Sequence, residues 1–189
     1  MLKKTAVTFP NMLLIGSSGR KSGKTHLATA IIELNRRKTD IIGLKVTTIE
    51  KKDGTCPHGR KGCGVCSSME GDYLVLEEKD GTLEKDTSLL LSAGAKKVYW
   101  LLVLEEALEK GAQELLKFIP HNSVIVAESN RLRLAVQPGL FVMLINRHSA
   151  IKPSAERVRS QADLSIETDG QSFDFPVDNI QYSGQGWTF

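Results

Sequence analysis

Gly23, Lys24 and Thr25 close a loop of small residues, Gly16-Ser17-Ser18-Gly19-Arg20-Lys21-Ser22, which itself follows the apolar run Met12-Leu13-Leu14-Ile15. An apolar strand, a small-residue turn and a helix start, in that order, make a phosphate cradle. Backbone N–H groups converge on phosphate oxygens, and the lack of bulk lets the chain come close to them. In such a cradle the Lys24 ammonium reaches the β- and γ-phosphates, and the Thr25 hydroxyl ligates Mg²⁺. Ser18, Gly19, Arg20, Lys21, Ser22 and Gly23 form the turn, with Arg20 and Lys21 adding positive charge. His26 offers its backbone N–H to the α-phosphate from the first helical turn. The strict P-loop spacing places glycine where this chain has Ser18, and the glycines fall at Gly16 and Gly19 instead. The chemistry predicted here is binding of a nucleoside triphosphate, ATP or GTP.

Magnesium at such a site needs a carboxylate at the tip of a neighbouring strand. Val124-Ile125-Val126-Ala127 supplies an apolar strand, and Glu128 ends it. Glu128 is therefore the candidate for holding Mg²⁺ and orienting an attacking water. The alternative is a glutamate that caps the segment 130–136. Asp86 and Glu105 are the secondary candidates for the acid. Lys45, at the carboxyl end of a second short strand, is placed to contact phosphate or an anionic substrate; the alternative is a solvated lysine. Arg131, Arg133 and Arg147 are further cations without a specific signal.

A second constellation is Cys56-Pro57-His58-Gly59-Arg60-Lys61-Gly62-Cys63-Gly64-Val65-Cys66. Cys63 and Cys66 have the spacing of a zinc knuckle, and Cys56 and His58 complete a tetrahedral Cys₃His set. Thiolate and neutral imidazole suit Zn²⁺, with other transition metals open. A redox-active Cys63/Cys66 pair and uncoordinated thiols are the alternatives.

These residues need rigid elements beneath them. Hydrophobic patterning predicts strands over 11–16, 40–46, 72–78, 97–104, 123–128, 140–146 and 164–166. Helices are expected over 24–38, 86–91, 105–118 and 154–162, the first with Leu27, Ala30, Ile31 and Leu34 at helical spacing. The stretch 50–70 has little apolar periodicity, and an insertion spanning about 50–82 is expected to be stapled by metal. From 173 onward no regular element is predicted. Alternating strands and helices imply an α/β fold: a mostly parallel sheet covered on both faces, forming a single P-loop NTPase domain over 1–189 with a Cys/His-rich insertion loop or small hairpin.

Composition narrows the setting. The hydrophobic fraction of 41% and charged fraction of 25% are those of an ordinary globular domain. A net charge of +3 without a basic run does not predict nucleic-acid binding. No apolar stretch reaches the roughly 20 residues that span a bilayer. The basic start Met1-Leu2-Lys3-Lys4 resembles a secretory signal, but Pro10-Asn11 interrupts the apolar segment, so cytoplasm is the expected address.

The chain resembles the molybdopterin-guanine dinucleotide biosynthesis protein B (MobB) family of P-loop GTP-binding proteins. The resemblance runs through the loop 18–25, Gly43-Leu44-Lys45, Lys85-Asp86-Thr87-Ser88, Ala93-Gly94-Ala95 and the strand ending at Glu128. It covers roughly residues 11–130. It implies GTP use with slow hydrolysis, a role in molybdenum-cofactor maturation, a partner protein of that pathway and a nucleotide-linked homodimer. Cys56-Pro57-His58 is similar to the Cys-Pro-His metal-binding motif of urease accessory GTPases, which implies a metallochaperone as the second reading. A small-molecule kinase, with Lys45 near the acceptor, is the third.

Overall fold

The structure is a computed structural model and describes residues 7–49, 69 and 71–189. Its strands are β1 (Val7–Ser17), β2 (Ile41–Ile49), β3 (Tyr73–Glu78), β4 (Lys97–Leu104), β5 (Val124–Glu128), β6 (Val136–Asn146) and β7 (Leu164–Thr168), and they form one sheet in the order β3-β4-β2-β5-β1-β6-β7. Six of these strands run parallel; β3 joins β4 antiparallel at one edge. Tyr73–Glu78, within the expected insertion, pairs with residues 98–103 of β4 at the edge of the main sheet.

A parallel strand covered on both faces must be apolar throughout. In β1, Met12 and Leu14 point to one face and Leu13 and Ile15 to the other, all fully buried. The first face packs with Leu44, Leu101 and Phe141 against α3 (Leu108–Leu116) through Leu108, Ala112 and Leu115. The second packs with Val126 and Val142 against α1 (Lys24–Asn35) and α2 (Asp86–Ser92) through Leu27, Ile31 and Leu90. At roughly 25 cal/mol per Å² of apolar area buried, this double covering is the main source of stability for the central strands.

Three elements differ from expectation. In α1 the buried stripe is Leu27, Ala28, Ile31, Ile32 and Asn35 rather than Leu27, Ala30, Ile31 and Leu34, and Leu34 is 45% exposed. The reason is Asn35, which gives Nδ2–H to the Ile31 carbonyl at 2.9 Å and accepts the Tyr182 N–H at 3.2 Å, so a polar residue occupies the inner face. The stretch 105–118 begins as a 3₁₀ turn (Glu105–Ala107) before α3, and 154–162 splits into α4 (Pro153–Glu156) and a 3₁₀ turn (Arg159–Gln161). Between them Val158, at φ −128°, leaves helical geometry and buries its side chain completely.

The tail also has structure. β8 (Gln181–Tyr182) and β9 (Trp187–Thr188) form a small hairpin, with Ile180 and Trp187 in the second core face. The Trp187 indole donates to the Asn11 carbonyl at 2.9 Å. Among the described residues no helix is long and apolar enough to cross a membrane.

Candidate nucleotide site

Glu128 and Thr25 meet because β5 lies directly beside β1. Ile15 pairs with Glu128 across the two strands, so the end of β5 sits level with the loop that leaves β1. Gly23 caps α1 with φ 77°, the left-handed conformation for which glycine carries no Cβ penalty. The helix then starts at Lys24 and aims the Thr25 hydroxyl at Glu128 Oε2, 3.1 Å away. Glu128 is 1% exposed, and its other oxygen, Oε1, has no hydrogen-bond partner. A buried, unpartnered carboxylate oxygen costs free energy unless something binds it.

Lys24 folds back and donates to Ser17 Oγ at 2.8 Å, while Ser17 Oγ donates to the Gly19 carbonyl at 2.9 Å. Burial lowers the Lys24 pKa, with Glu128 opposing that effect and Lys45 adding to it. Ser18, where the strict spacing has glycine, turns its hydroxyl away from the cradle and accepts the Asn146 N–H at 2.8 Å. That bond ties the loop to the end of β6 and explains why a side chain is tolerated there. Gly19 has no such room, since a Cβ there would collide with the Ser149 hydroxyl. Arg20 and Lys21 are exposed, and Lys21 has φ 54°. Ser22 is buried with an unpartnered hydroxyl. The His26 ring is tilted against Phe173, with centroids 5.3 Å apart.

Lys45, at the β2 position paired with Glu128, bridges the two acids. It contacts Asp86 closely and approaches Glu128 Oε2 at 3.4 Å. Burial opposes the charge on Lys45, but Glu128 and Asp86 outweigh it and raise its pKa. Burial raises the Glu128 pKa, and Lys45 only partly offsets this. For Asp86 burial works upward, and the Lys45 ammonium outweighs it, leaving the carboxyl below its usual range. Asp86 thus belongs to the site together with Glu128. Sequence spacing alone ranked it second, because 42 residues separate Glu128 from it.

Three contributors carried no sequence signal. Asn130 accepts the Ser17 N–H at 2.7 Å and donates to the Ser17 carbonyl at 2.9 Å, clamping the end of β1. Glu78 accepts Thr87 Oγ at 2.6 Å and Lys85 Nζ at 2.7 Å, and so grips both neighbours of Asp86. Lys152 sends its N–H to the Ser18 carbonyl at 2.8 Å. Its pKa is lowered to about 8 by burial and by the charges of Lys24 and Arg20.

Other sequence candidates lie apart. Glu105 pairs with Arg131 at 2.5 Å and Arg157 at 2.7 Å rather than with the magnesium candidates. Arg133 donates to the Val136 carbonyl at 3.1 Å, and Arg147 pairs with Glu167. Cys56, His58, Cys63 and Cys66 lie outside the described residues. Among the described residues no group of three or more His, Cys, Asp and Glu is arranged to hold a metal. Magnesium needs no such cage, because it keeps waters and takes one or two carboxylates plus phosphate oxygens. The Thr25 hydroxyl and the open Glu128 oxygen fit that requirement.

No family model matches the chain, and no curated protein matches it. Among solved structures it is similar to the "apo" form of LpxK from Aquifex aeolicus in complex with ATP, at a TM-score of 0.53 and 14% identity. The likeness is one of fold, an α/β architecture built on a mostly parallel sheet. The likeness covers 97% of this chain but 55% of the LpxK chain. It agrees with the α/β class and the mostly parallel sheet read from the sequence.

Proposed function

We propose that this chain binds a Mg²⁺–nucleoside triphosphate on the loop between β1 and α1 and cleaves its γ-phosphate. Lys24 leaves Ser17 for the β- and γ-phosphates, and Ser18 to His26 line the phosphate chain. Thr25 and Glu128 hold magnesium directly or through water, and Asp86 adds charge beside them. Magnesium supplies neutralisation of the phosphate charge. What carries this reading is the pairing of Thr25 with a buried Glu128 whose second oxygen is unpartnered. ATP is the first nucleotide to test, since the LpxK structure contains it; GTP is what the MobB resemblance implies.

The setting in molybdenum-cofactor maturation, with slow hydrolysis, a pathway partner and a homodimer, rests on that resemblance in the loop 18–25 and at Lys45, Asp86 and Glu128, and the cytoplasmic address rests on the sequence pattern of the first strand. Transfer to an acceptor other than water is the second reading, favoured by a cleft of about 380 Å³ that opens beside Lys24 and Glu128. A zinc site at Cys56, His58, Cys63 and Cys66 is proposed separately on ligand spacing, and it leaves a metallochaperone role open.

Calorimetric titration with ATP and GTP, with and without Mg²⁺, tests the proposal alongside a phosphate-release assay. Saturable binding of one nucleotide, tightened by Mg²⁺ and lost in Lys24→Ala, is expected. Absence of binding by either nucleotide would overturn it.

A further inference from the structure

The cleft beside Lys24 runs away from the phosphate loop, across the carboxyl ends of β2 and β5, to the start of α4. The triphosphate must place its γ end on the Lys24–Glu128 side, so whatever occupies the cleft faces that phosphorus. Its wall is chemically one-sided. Among the described residues, Thr47, Thr48, Ser129 and Ser154 supply hydroxyls, Val46 is the one apolar side chain, and no aromatic ring lines it. Among the described lining side chains four are cations (Lys24, Lys45, Arg131 and Lys152), against the single acid Glu128. Such a wall favours small polar anions over lipid.

The cations are not equivalent. Nucleotide engages Lys24, Lys45 is held by Asp86 and Glu128, and Arg131 pairs with Glu105. Among the described residues no acid pairs with Lys152; the charges of Lys24 and Arg20 act on it, so it adds to a positive field. Its backbone is fixed to the loop through Ser18, and the neighbouring Ser154 hydroxyl accepts from Asn130 at 3.4 Å. The floor of the cleft is equally fixed, because the Trp100 indole donates to Thr47 Oγ at 3.0 Å.

We propose that this cleft is the acceptor subsite and takes a small, hydroxylated organic anion, with Lys152 binding the anionic group and the Lys24–Glu128 end receiving the hydroxyl. This rests on the nucleotide reading above and names the substrate class for it. In the transfer, the acceptor oxygen forms a bond to the γ-phosphorus and the bond from that phosphorus to the β–γ bridging oxygen breaks. The nucleoside diphosphate leaves, and the hydroxyl proton passes to solvent or to Glu128.

The experiment saturates the full chain with Mg²⁺ and a non-hydrolysable ATP analogue, then adds glycerol 3-phosphate or glycerol at constant ionic strength. The indole N–H resonance of Trp100 reports on the cleft, and that of Trp187, on the distal hairpin, serves as control. Glycerol 3-phosphate is expected to shift Trp100 saturably in the millimolar range, with glycerol inert and Trp187 unmoved. Lys152→Met is expected to weaken that binding about tenfold, as for loss of one charge-assisted hydrogen bond, a larger loss than the same variant shows for the analogue. Equal response to glycerol, or no saturable shift with the analogue bound, overturns the subsite. A Lys152→Met loss that falls on the analogue assigns Lys152 to the nucleotide and also overturns it, leaving the nucleotide reading intact. Failure of the wild-type chain to bind the analogue overturns both.

Discussion

Asn130 holds Ser17 by both of its main-chain polar groups, accepting the N–H at 2.7 Å and donating to the carbonyl at 2.9 Å. Ser17 is the last residue of β1 and carries the hydroxyl on which Lys24 rests. One amide therefore couples the end of β5, where Glu128 sits, to the root of the phosphate loop. Gly16 is part of the same fit, since a Cβ there would lie 3.1 Å from Asn130 Oδ1.

Asn130→Asp keeps the acceptor but replaces the donor with an oxygen facing the Ser17 carbonyl. A fold destabilised by about 1–3 kcal/mol is expected, as for an unsatisfied partly buried group. Nucleotide affinity should fall with it. Chemical denaturation and a nucleotide titration of the variant check both outcomes, and an unchanged midpoint would show that the clamp carries no stability.

Lys24→Ala removes the cation aimed at the β- and γ-phosphates. Among the described residues Lys24 donates to Ser17 Oγ alone, and burial already disfavours its charge, so its removal should leave the fold intact. Triphosphate affinity is expected to drop by tenfold or more, on the order of 1.4 kcal/mol or above. Diphosphate affinity should fall less. Calorimetry on both nucleotides reads the difference.

Much of the site is legible in the sequence because its signals are local. Loop 16–25 is contiguous, and β5 ends in its acid without interruption, so Lys24, Thr25 and Glu128 follow from spacing. What is not legible depends on strand order. Lys45 and Asp86 are both named by their local patterns, but their meeting with Glu128 follows from β2 sitting between β4 and β5, a fact that no local pattern encodes. Asn130, Glu78 and Lys152 act by hydrogen bonds or charge across long separations and have no periodic signature. The inner face of α1 departs from its apolar pattern for a related reason. Asn35 lies inside because Tyr182, far along the chain, supplies its partner.

Glu128→Gln keeps the shape of the acid and removes its charge. Binding of nucleotide should persist while Mg²⁺-dependent turnover falls, by about tenfold or more if Glu128 holds the metal or orients water. Stability should move the other way. Burial raises the Glu128 pKa in the folded chain, so the native state retains its proton to higher pH than the unfolded chain does. That contribution is full below the unfolded carboxylate range and is lost as pH rises through the folded value. At neutral pH the glutamine variant is therefore expected to unfold at a higher temperature than wild type, with the gap closing in acid. Equal turnover in the variant would move the metal to Asp86.

The Cys56, His58, Cys63 and Cys66 set gives a prediction independent of the P-loop. If it holds one Zn²⁺, purified protein contains close to one equivalent of metal, and occupancy falls as acid protonates the thiols and imidazole. Chelation should open 50–70 to protease while the sheet keeps its thermal transition. Elemental analysis and limited proteolysis with and without chelator decide it. Metal below about a tenth of an equivalent would favour the redox pair at Cys63 and Cys66.

Glu78 makes the last prediction, because it acts on the site from the sheet edge. Burial pushes its pKa upward, but hydrogen bonds from Lys85 and Thr87 outweigh this and hold it at about 2. A depressed carboxylate contributes stability above the unfolded range near 4.5 and loses it as pH falls toward about 2. Glu78→Gln should remove that acid-dependent part, lowering stability at neutral pH by about 1–2 kcal/mol after solvent screening. Since Lys85 and Thr87 flank Asp86, the variant should also loosen the Asp86–Lys45 pair and weaken Mg²⁺-dependent nucleotide binding. Wild type and variant compared by denaturation between pH 2 and 7 separate the effects. Their curves should converge in acid, and parallel curves across the range would show that Glu78 is not the titrating anchor.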